Sequence, residues 1–225
     1  MQKKGLAVIA VGGNALIKDK NHQSQHDQYQ CAADTMVHIA DMILDGWDVV
    51  ITHGNGPQVG FILRRSELAA HEVHENPLDY CGAESQGSIG YMFAQSLHNE
   101  FLHRGIDKNV VSVVTQTIVD RNDPAFQNPT KPIGGFMDEA AAREKRENEG
   151  WTVVEDAGRG WRRVVASPIP TRIVEADGIR TLIDKGFVVV AVGGGGIPVV
   201  EDAEGNLSGA MAVIDKDFGT SILAS

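Results

Sequence analysis

One stretch near the carboxyl end of the chain, residues 187–196, constrains the fold more than any other. Its first six residues, FVVVAV, are all apolar, with no polar residue alternating between them. Such a run is typical of a strand buried on both faces, as in a parallel sheet. Four glycines, residues 193–196, follow directly, at the position where open α/β sheets bind their ligands. Because glycine permits a positive φ angle and leaves backbone N–H groups accessible, the pattern predicts an anion site at this strand end.

Two earlier stretches repeat the same arrangement. Apolar strands at residues 6–11 and 49–52 are each followed by a glycine loop. For a single loop, a tight strand–helix turn explains the glycines equally well, whereas three loops favour one shared, phosphate-sized site. The candidate binding residues are Gly12, Gly13, Asn14, Gly54, Asn55, Gly56, Gly194 and Gly195.

Helical and strand patterns alternate along most of the chain. Strands are predicted at residues 6–11, 48–52 and 110–115, with a helix following a polar loop at 18–28 and a long helix at 84–104. This order predicts an α/β fold with a mostly parallel sheet and helices on both faces.

The alternation is interrupted between residues 119 and 167. This segment contains several Pro and Gly turns, a short charged helix that Asp138 caps, and a β-hairpin pattern over residues 151–165. We interpret residues 119–167 as a protruding subdomain inserted into the sheet domain. A long ordered surface excursion is the alternative.

Composition and charge exclude several function classes. The chain has 225 residues, 42% hydrophobic, and a formal net charge of −10, which disfavours nucleic acid and acidic membrane surfaces as partners. No apolar run approaches the roughly 18 residues of a membrane helix. The two cysteines, Cys31 and Cys81, form no CxxC pair, which favours a reducing cytoplasm.

Other phosphate and metal motifs do not fit the spacing. The chain has no P-loop string, and Pro198 stands where the third glycine of a dinucleotide-binding fingerprint belongs. The HEVHE sequence at residues 71–75 has its histidines three apart and no evident third ligand, so we interpret it as a solvated helix rather than a zinc site.

Several longer strings, in this order, resemble the carbamate kinase family. They are AVGGNAL (10–16), HGNGPQVG (53–60), ESQG (84–87), DPAF (123–126), NPTKPIG (128–134), RRVVASP (162–168), the glycines at 193–196 and AVIDKD (212–217). The resemblance implies the amino-acid kinase fold, a three-layer α/β/α sandwich in a homodimer, with the protruding subdomain over the substrate site. It also implies a phosphotransferase that moves a phosphoryl group reversibly between carbamoyl phosphate and ADP, giving ATP and carbamate, with Mg²⁺, in arginine or ureide degradation.

The same resemblance implies roles for three further residues. Lys131 would contact the phosphoryl group, Lys216 would neutralise it during transfer, and Asp217 would orient the lysines or the metal. From the residues alone, a solvated Lys131, and a solvated Lys216 behind an N-cap at Asp215, stay open. The metal ligands are not identified.

Five other residues in these strings are interpreted as structural. Arg162 and Arg163 are interpreted as surface or packing residues, and Ser85 and Gln86 as caps or dimer-face groups. Carbamate is already an anion at neutral pH, so we expect no catalytic histidine and interpret His53 as holding its loop.

The end of the chain and the choice of substrate leave alternatives. Residues 215–225 begin an amphipathic helix that stops early, and family members continue further, to another catalytic lysine, which suggests a chain truncated at its carboxyl end. Many members also carry another residue at Gly135. The alternatives in function are an amino-acid kinase acting on another small carboxylate, and an inactive ligand-binding fragment.

Overall fold

Four parallel strands form the first sheet of the computed structural model, which describes residues 3–19 and 21–225 and leaves the Asn14 side chain undescribed. They are β1 (Gly5–Val11), β2 (Trp47–His53), β3 (Val110–Ser112) and β9 (Val188–Val190), in the spatial order β1-β2-β9-β3. The central β9 therefore has a hydrogen-bonded neighbour along each edge, β2 and β3.

A second sheet contains β4 (Gln116–Val119), β8 (Pro170–Ile173), β10 (Ile197–Glu201) and β11 (Leu207–Gly209), in the order β11-β10-β4-β8. The β4 and β10 strands pair in parallel and follow β3 and β9 in the chain, while β8 and β11 are antiparallel. The β10 and β11 strands form an antiparallel hairpin.

The glycine loop changes the register between the two sheets. Val188 pairs with Val110 and Ile197 with Gln116, so nine residues advance along one chain segment while six advance along the other. The additional residues form a 3₁₀ turn, Gly193–Gly195. This extra length lets the loop turn away from the sheet at the carboxyl end of β9.

Helices cover both faces of the first sheet. Two of them, α1 (Gln25–Leu44) and α3 (Leu78–Arg104), pack with Val188 and Val190 in one cluster of buried apolar side chains. On the other face, Val189 packs in a second cluster with residues of α5 (Ala176–Asp184) and α6 (Lys216–Ala224). Since side chains alternate across a strand, β9 is buried on both faces. The predicted α/β class with a mostly parallel sheet is confirmed.

The segment between β4 and β8, two strands of the second sheet, forms a separate three-stranded antiparallel sheet. Its strands β5 (Lys131–Met137), β6 (Val153–Glu155) and β7 (Trp161–Val165) lie in the order β5-β7-β6, and α4 (Glu139–Glu149) connects β5 to β6. The predicted hairpin and the Asp138 cap of α4 are both confirmed.

Two helices begin earlier than the sequence pattern indicates. Ser24 and Asp27 form a capping box that starts α1 at Gln25, within the predicted polar loop. The long α3 begins after Pro77 rather than at Glu84, because Leu78 and Cys81 are buried against α2 (Gln58–Ala69) and β5. Across residues 3–19 and 21–225, no helix combines the length and apolarity that crossing a bilayer requires.

Candidate active site

The three glycine loops meet in one cleft at the carboxyl ends of β1, β2 and β9. The cleft has a volume of about 320 Å³. Its lining includes most of the binding residues predicted from the sequence and the three charged side chains to which the resemblance assigns roles. The loop residues are Gly12, Gly13, Gly54, Asn55, Gly56 and Gly194, and the charged residues are Lys131, Lys216 and Asp217. Loops separated by up to 182 residues in the chain, from Gly12 to Gly194, thus border the same space.

Two of the loops touch through glycine backbone. A Cβ atom on Gly13 would lie 2.9 Å from the Gly56 nitrogen, and one on Gly54 would lie 2.9 Å from the Gly13 nitrogen. Gly54 also donates its N–H to the Val11 carbonyl at 2.9 Å. Side chains at Gly13 or Gly54 would therefore force the loops apart and widen the cleft.

In the third glycine loop, which follows β9, Gly194 borders the cleft and Gly195 does not. Gly194, with φ of 65°, borders the cleft, and a Cβ there would lie 2.7 Å from the Asn55 Cγ. Gly195 lies behind it, where a Cβ would meet the Ile214 side chain at 2.8 Å, and is not part of the cleft lining. The side chain of Asn14, which the sequence also predicts to bind, lies outside the described residues.

Both lysines of the cleft are held by carboxylates at the start of α6. Lys131 donates to Asp215 at 2.9 Å, and Lys216 pairs with Asp217. The hydrogen bond from Lys131 is the main reason that the pKa of Asp215 lies below its ordinary value. Asp215 also caps α6 by accepting a hydrogen bond from the Asp217 N–H. The predicted N-cap is therefore present, and the same carboxylate also binds Lys131.

Lys216 is not directed into bulk water. Its side chain is 28% exposed, and its Cδ would lie 3.4 Å from a Cβ on Gly54. The alkyl stem therefore packs over the glycine loop while the ammonium stays at the cleft. The position next to a helix start, unusual for a cation, results from this contact together with the Asp217 ion pair.

The structure adds a third cation that the sequence interpretation assigned to the surface. Arg162 of β7 lines the cleft, donates to the Gly134 carbonyl at 3.1 Å and pairs with Asp156 at 3.5 Å. Its Nε is buried and has no hydrogen-bond partner within the part of the chain that the structure describes. No local sequence signal distinguishes Arg162 from Arg163, because only the pairing of β5 with β7 turns one of them toward the cleft.

Gln86 is also placed differently from the sequence interpretation. The sequence interpretation placed Gln86 at a helix cap or a dimer face, but its side chain is buried, with 3% of its surface exposed. It donates hydrogen bonds to the carbonyl oxygens of Thr115 and Gly193. Ser85 is buried as well and donates to the Gly82 carbonyl.

His53 is buried beside the glycine loops and stays neutral. Its Nδ1 lies 2.9 Å from the Gly54 carbonyl oxygen, and its ring meets Phe93 edge-on. Complete burial lowers the pKa of His53 to about 4. The imidazole thus contacts its own loop, in line with the structural role expected from the sequence.

Among the described residues, no group of three or more His, Cys, Asp or Glu side chains is placed to hold a metal ion. A metal at this cleft would accordingly depend on ligand oxygens from a bound phosphate compound as well as on protein carboxylates.

Comparison with known proteins decides the family. A sequence profile of the amino acid kinase family matches residues 5–225. Carbamate kinases from Thermococcus kodakarensis and Clostridium perfringens are each 52% identical over 220 residues, covering 96% of this chain and 70% of their own length. The chain belongs to the carbamate kinase family. The carbamate kinase-like protein YqeA from Escherichia coli is 51% identical over 228 residues, covering 100% of this chain and 70% of its own.

Solved structures of the carbamate kinase family agree with this placement. Carbamate kinase from Giardia lamblia bound to AMP-PNP has a TM-score of 0.88 and 46% identity, covering 99% of this chain and 70% of that one. The same enzyme bound to citric acid has a TM-score of 0.91 and 46% identity, covering 99% and 71%. The predicted amino-acid kinase fold and the prediction of a phosphotransferase are therefore confirmed.

Proposed function

We propose that this chain transfers a phosphoryl group reversibly between carbamoyl phosphate and ADP, giving ATP and carbamate. The observation that carries the proposal is the convergence of Lys131, Lys216 and three glycine loops on one cleft. The relatives that are named carbamate kinases, at 52% identity, support the choice of substrates.

The geometry fits a reaction that depends on positioning and charge neutralisation. Phosphoryl transfer between two oxygen atoms requires little covalent chemistry from the protein. The backbone N–H groups around Gly13 and Gly54 are available to bind phosphoryl oxygens, and the ammonium groups of Lys131 and Lys216 neutralise the charge that develops on them. Asp215 and Asp217 hold these two ammonium groups at the cleft.

Proton transfer is not required of the protein. Carbamate is an anion at neutral pH and attacks without a general base. The neutral His53 is buried and bonded to its loop, so its proposed contribution is to hold the Gly54 loop in place.

Mg²⁺ is proposed to arrive with the nucleotide. Mg²⁺ commonly binds through one or two carboxylates and the phosphates of a substrate. Asp217, whose side chain is 74% exposed, is the carboxylate in the cleft best able to reach such an ion, and the ion would neutralise charge on the phosphates.

Residues 119–167 are proposed to act as a subdomain over the acceptor side of the cleft. Pro132, Ile133 and Gly134 of β5 and Arg162 of β7 contribute to the lining. These β5 and β7 residues leave room for a small acceptor and limit access of water, which would otherwise hydrolyse the phosphoryl donor.

A cytoplasmic homodimer is proposed for the assembled protein. Cys31 and Cys81 are free thiols, as in a reducing compartment. Tyr80 and Tyr91 on α3 and Val114, which borders the same surface pocket as Tyr80, are large apolar side chains that are more than half exposed and would be covered in a dimer. Light scattering after size-exclusion chromatography tests the assembly.

A second candidate acceptor is a larger carboxylate. A cavity of about 260 Å³ adjoins the cleft and shares Gly60, Ile133 and Gly134 with it. The cavity also contains Arg163, a cation suited to a carboxylate. A relative named only as carbamate kinase-like is as similar to this chain as the carbamate kinases are.

The test is ATP formation from ADP and carbamoyl phosphate by the purified chain, with Mg²⁺ present. We expect turnover whose kcat/KM Lys131→Ala lowers by about 10²- to 10³-fold. A panel of acyl phosphates of increasing size distinguishes the two acceptors, since the larger carboxylate predicts a higher kcat/KM for a larger acyl group. Absence of turnover with every donor would refute both and leave the alternative of a ligand-binding chain.

A further inference from the structure

The amide of Gln86 joins three segments next to the cleft. Its Nε2 donates to the Thr115 carbonyl at 3.0 Å and to the Gly193 carbonyl at 2.9 Å, and its Oε1 accepts the Thr115 N–H at 2.8 Å. Gln86, Thr115 and Gly193 are all buried. Both N–H donors and the carbonyl of the side chain are therefore used.

The loop that Gln86 contacts has an unfavourable backbone conformation. Val192 has φ of 53° and ψ of 38°, in the left-handed region that a β-branched residue rarely adopts. Its N–H donates to the Thr115 Oγ1 at 3.0 Å, and Thr117 donates to the Gly195 carbonyl at 3.0 Å. A conformation of this kind persists only when its surroundings determine it, and such positions cluster at functional sites.

We propose that Gln86 is a positioning residue which, through its hydrogen bonds to Gly193 and Thr115, holds the Gly193–Gly195 turn so that Gly194 faces the cleft. The proposal deepens the phosphoryl-transfer function above and rests on it. Gln86 and Thr115 are both absent from the cleft lining, so they act through the loop rather than on the substrate.

Only an amide of this length satisfies the three partners. The surroundings present two carbonyl oxygens and one N–H to the side chain. A glutamate carboxylate has no donor, a protonated glutamic acid has one, and methionine has none. The side chain is in addition carried by α3, whose Ile89, Phe93 and Leu97 are buried in the main apolar cluster. The helix thus provides a fixed reference for the loop.

The test compares Gln86→Met with Gln95→Met in the full chain. Gln95 lies on the same helix but is exposed, and among the described residues its side chain bonds to Tyr91 alone. The two variants therefore make the same chemical change, one at the residue that contacts the glycine turn and one away from it. Hydrogen–deuterium exchange of the bonded amides of residues 192–196 reports the loop, and titration with inorganic phosphate reports the anion site. ATP formation supplies KM and kcat separately.

We expect Gln86→Met to accelerate exchange at residues 192–196 by about tenfold or more, with exchange in α1 unchanged. Phosphate affinity and kcat/KM should fall about 10- to 100-fold, because small displacements of positioning groups have effects of this size. Gln95→Met should match the wild type in all three measurements. If Gln86→Met does not fold, Thr115→Val, which removes the acceptor for the Val192 N–H, carries the same expectations.

Gln86→Glu adds a readout that a purely structural role would not give. Burial near two carbonyl oxygens raises the pKa of an introduced carboxyl group. As the pH falls from 8 to 5.5, the acid form regains one donor, so phosphate affinity relative to the wild type should recover in Gln86→Glu and not in Gln86→Met.

Unchanged exchange at residues 192–196 in Gln86→Met would overturn the proposal, as would faster exchange with unchanged phosphate affinity and kcat/KM. If the wild type binds neither phosphate nor the substrates, the proposed function fails and the positioning role with it. Failure of the positioning role alone leaves wild-type binding and turnover intact, so the two failures are distinguishable.

Discussion

His53 makes the stability of this protein depend on pH between about pH 4 and pH 6.5. The imidazole is fully buried, and its pKa is lowered from the ordinary 6.5 to about 4. Between these values the unfolded chain binds a proton that the folded chain does not. The free energy of unfolding therefore falls as the pH falls through this window.

The size of the effect follows from the two pKa values. One pKa unit corresponds to about 1.4 kcal/mol, so the full shift corresponds to about 3 kcal/mol, of which about 2 kcal/mol is lost between pH 7 and pH 5. Carboxylates with lowered pKa, such as Asp215, start from 3.8 and titrate below this window. The other seven histidines are exposed, and a comparison of variants cancels their contribution.

The assay is urea unfolding followed by tryptophan fluorescence at pH 7 and pH 5. We expect the wild type to lose about 2 kcal/mol more than His53→Gln between the two pH values, since an amide does not titrate there. His98→Gln, at an exposed position on α3, should behave as the wild type. An equal loss in the wild type and His53→Gln would refute the assignment of a buried, neutral imidazole.

Three further outcomes are expected at the cleft. Lys131→Ala and Lys216→Ala should each lower kcat/KM for ATP formation by about 10²- to 10³-fold, whereas His53→Gln should lower it far less; equal losses would contradict the roles proposed for the lysines. Gly13→Ala should reduce the free energy of unfolding by about 1–3 kcal/mol through overpacking, while Gly12→Ala should change it little, because nothing lies within 4 Å of a Cβ at that position; urea unfolding measures both. Removal of Mg²⁺ with EDTA should abolish ATP formation while inorganic phosphate still binds, and undiminished turnover would contradict a metal that arrives with the nucleotide.

Local sequence patterns were sufficient for most of the elements. The apolar run of β9, the turn between β10 and β11, the Asp138 cap of α4 and the Asp215 cap of α6 are each read from a few neighbouring residues. Helix starts were less predictable. The onset of α3 at Leu78 depends on the burial of Leu78 and Cys81 against other elements, and no short-range pattern contains that information.

The glycine loops at strand ends and the family motifs indicated the site, and the parallel order of the strands explains why. In a parallel sheet the carboxyl ends of all strands lie at one edge, so separate loops necessarily approach each other. Which glycine of a loop faces the cleft is a different matter. Gly194 borders it and Gly195 does not, because the φ angles of the turn are imposed by packing against Asn55, Ile214 and Thr117.

The sequence by itself determined the fold class, the kinase family and the residue types at the cleft, since these follow from periodicity, glycine placement and motif strings. Only the tertiary structure decided that Asp215 holds Lys131 from 84 residues away, that Arg162 reaches the cleft, and that Gln86 bonds to Gly193 across 107 residues. Hydrogen bonds and ion pairs between distant segments depend on the order in which strands pair and on which side chains pack next to each other in the interior. That information lies in the packing of the whole chain and not in any short stretch of it.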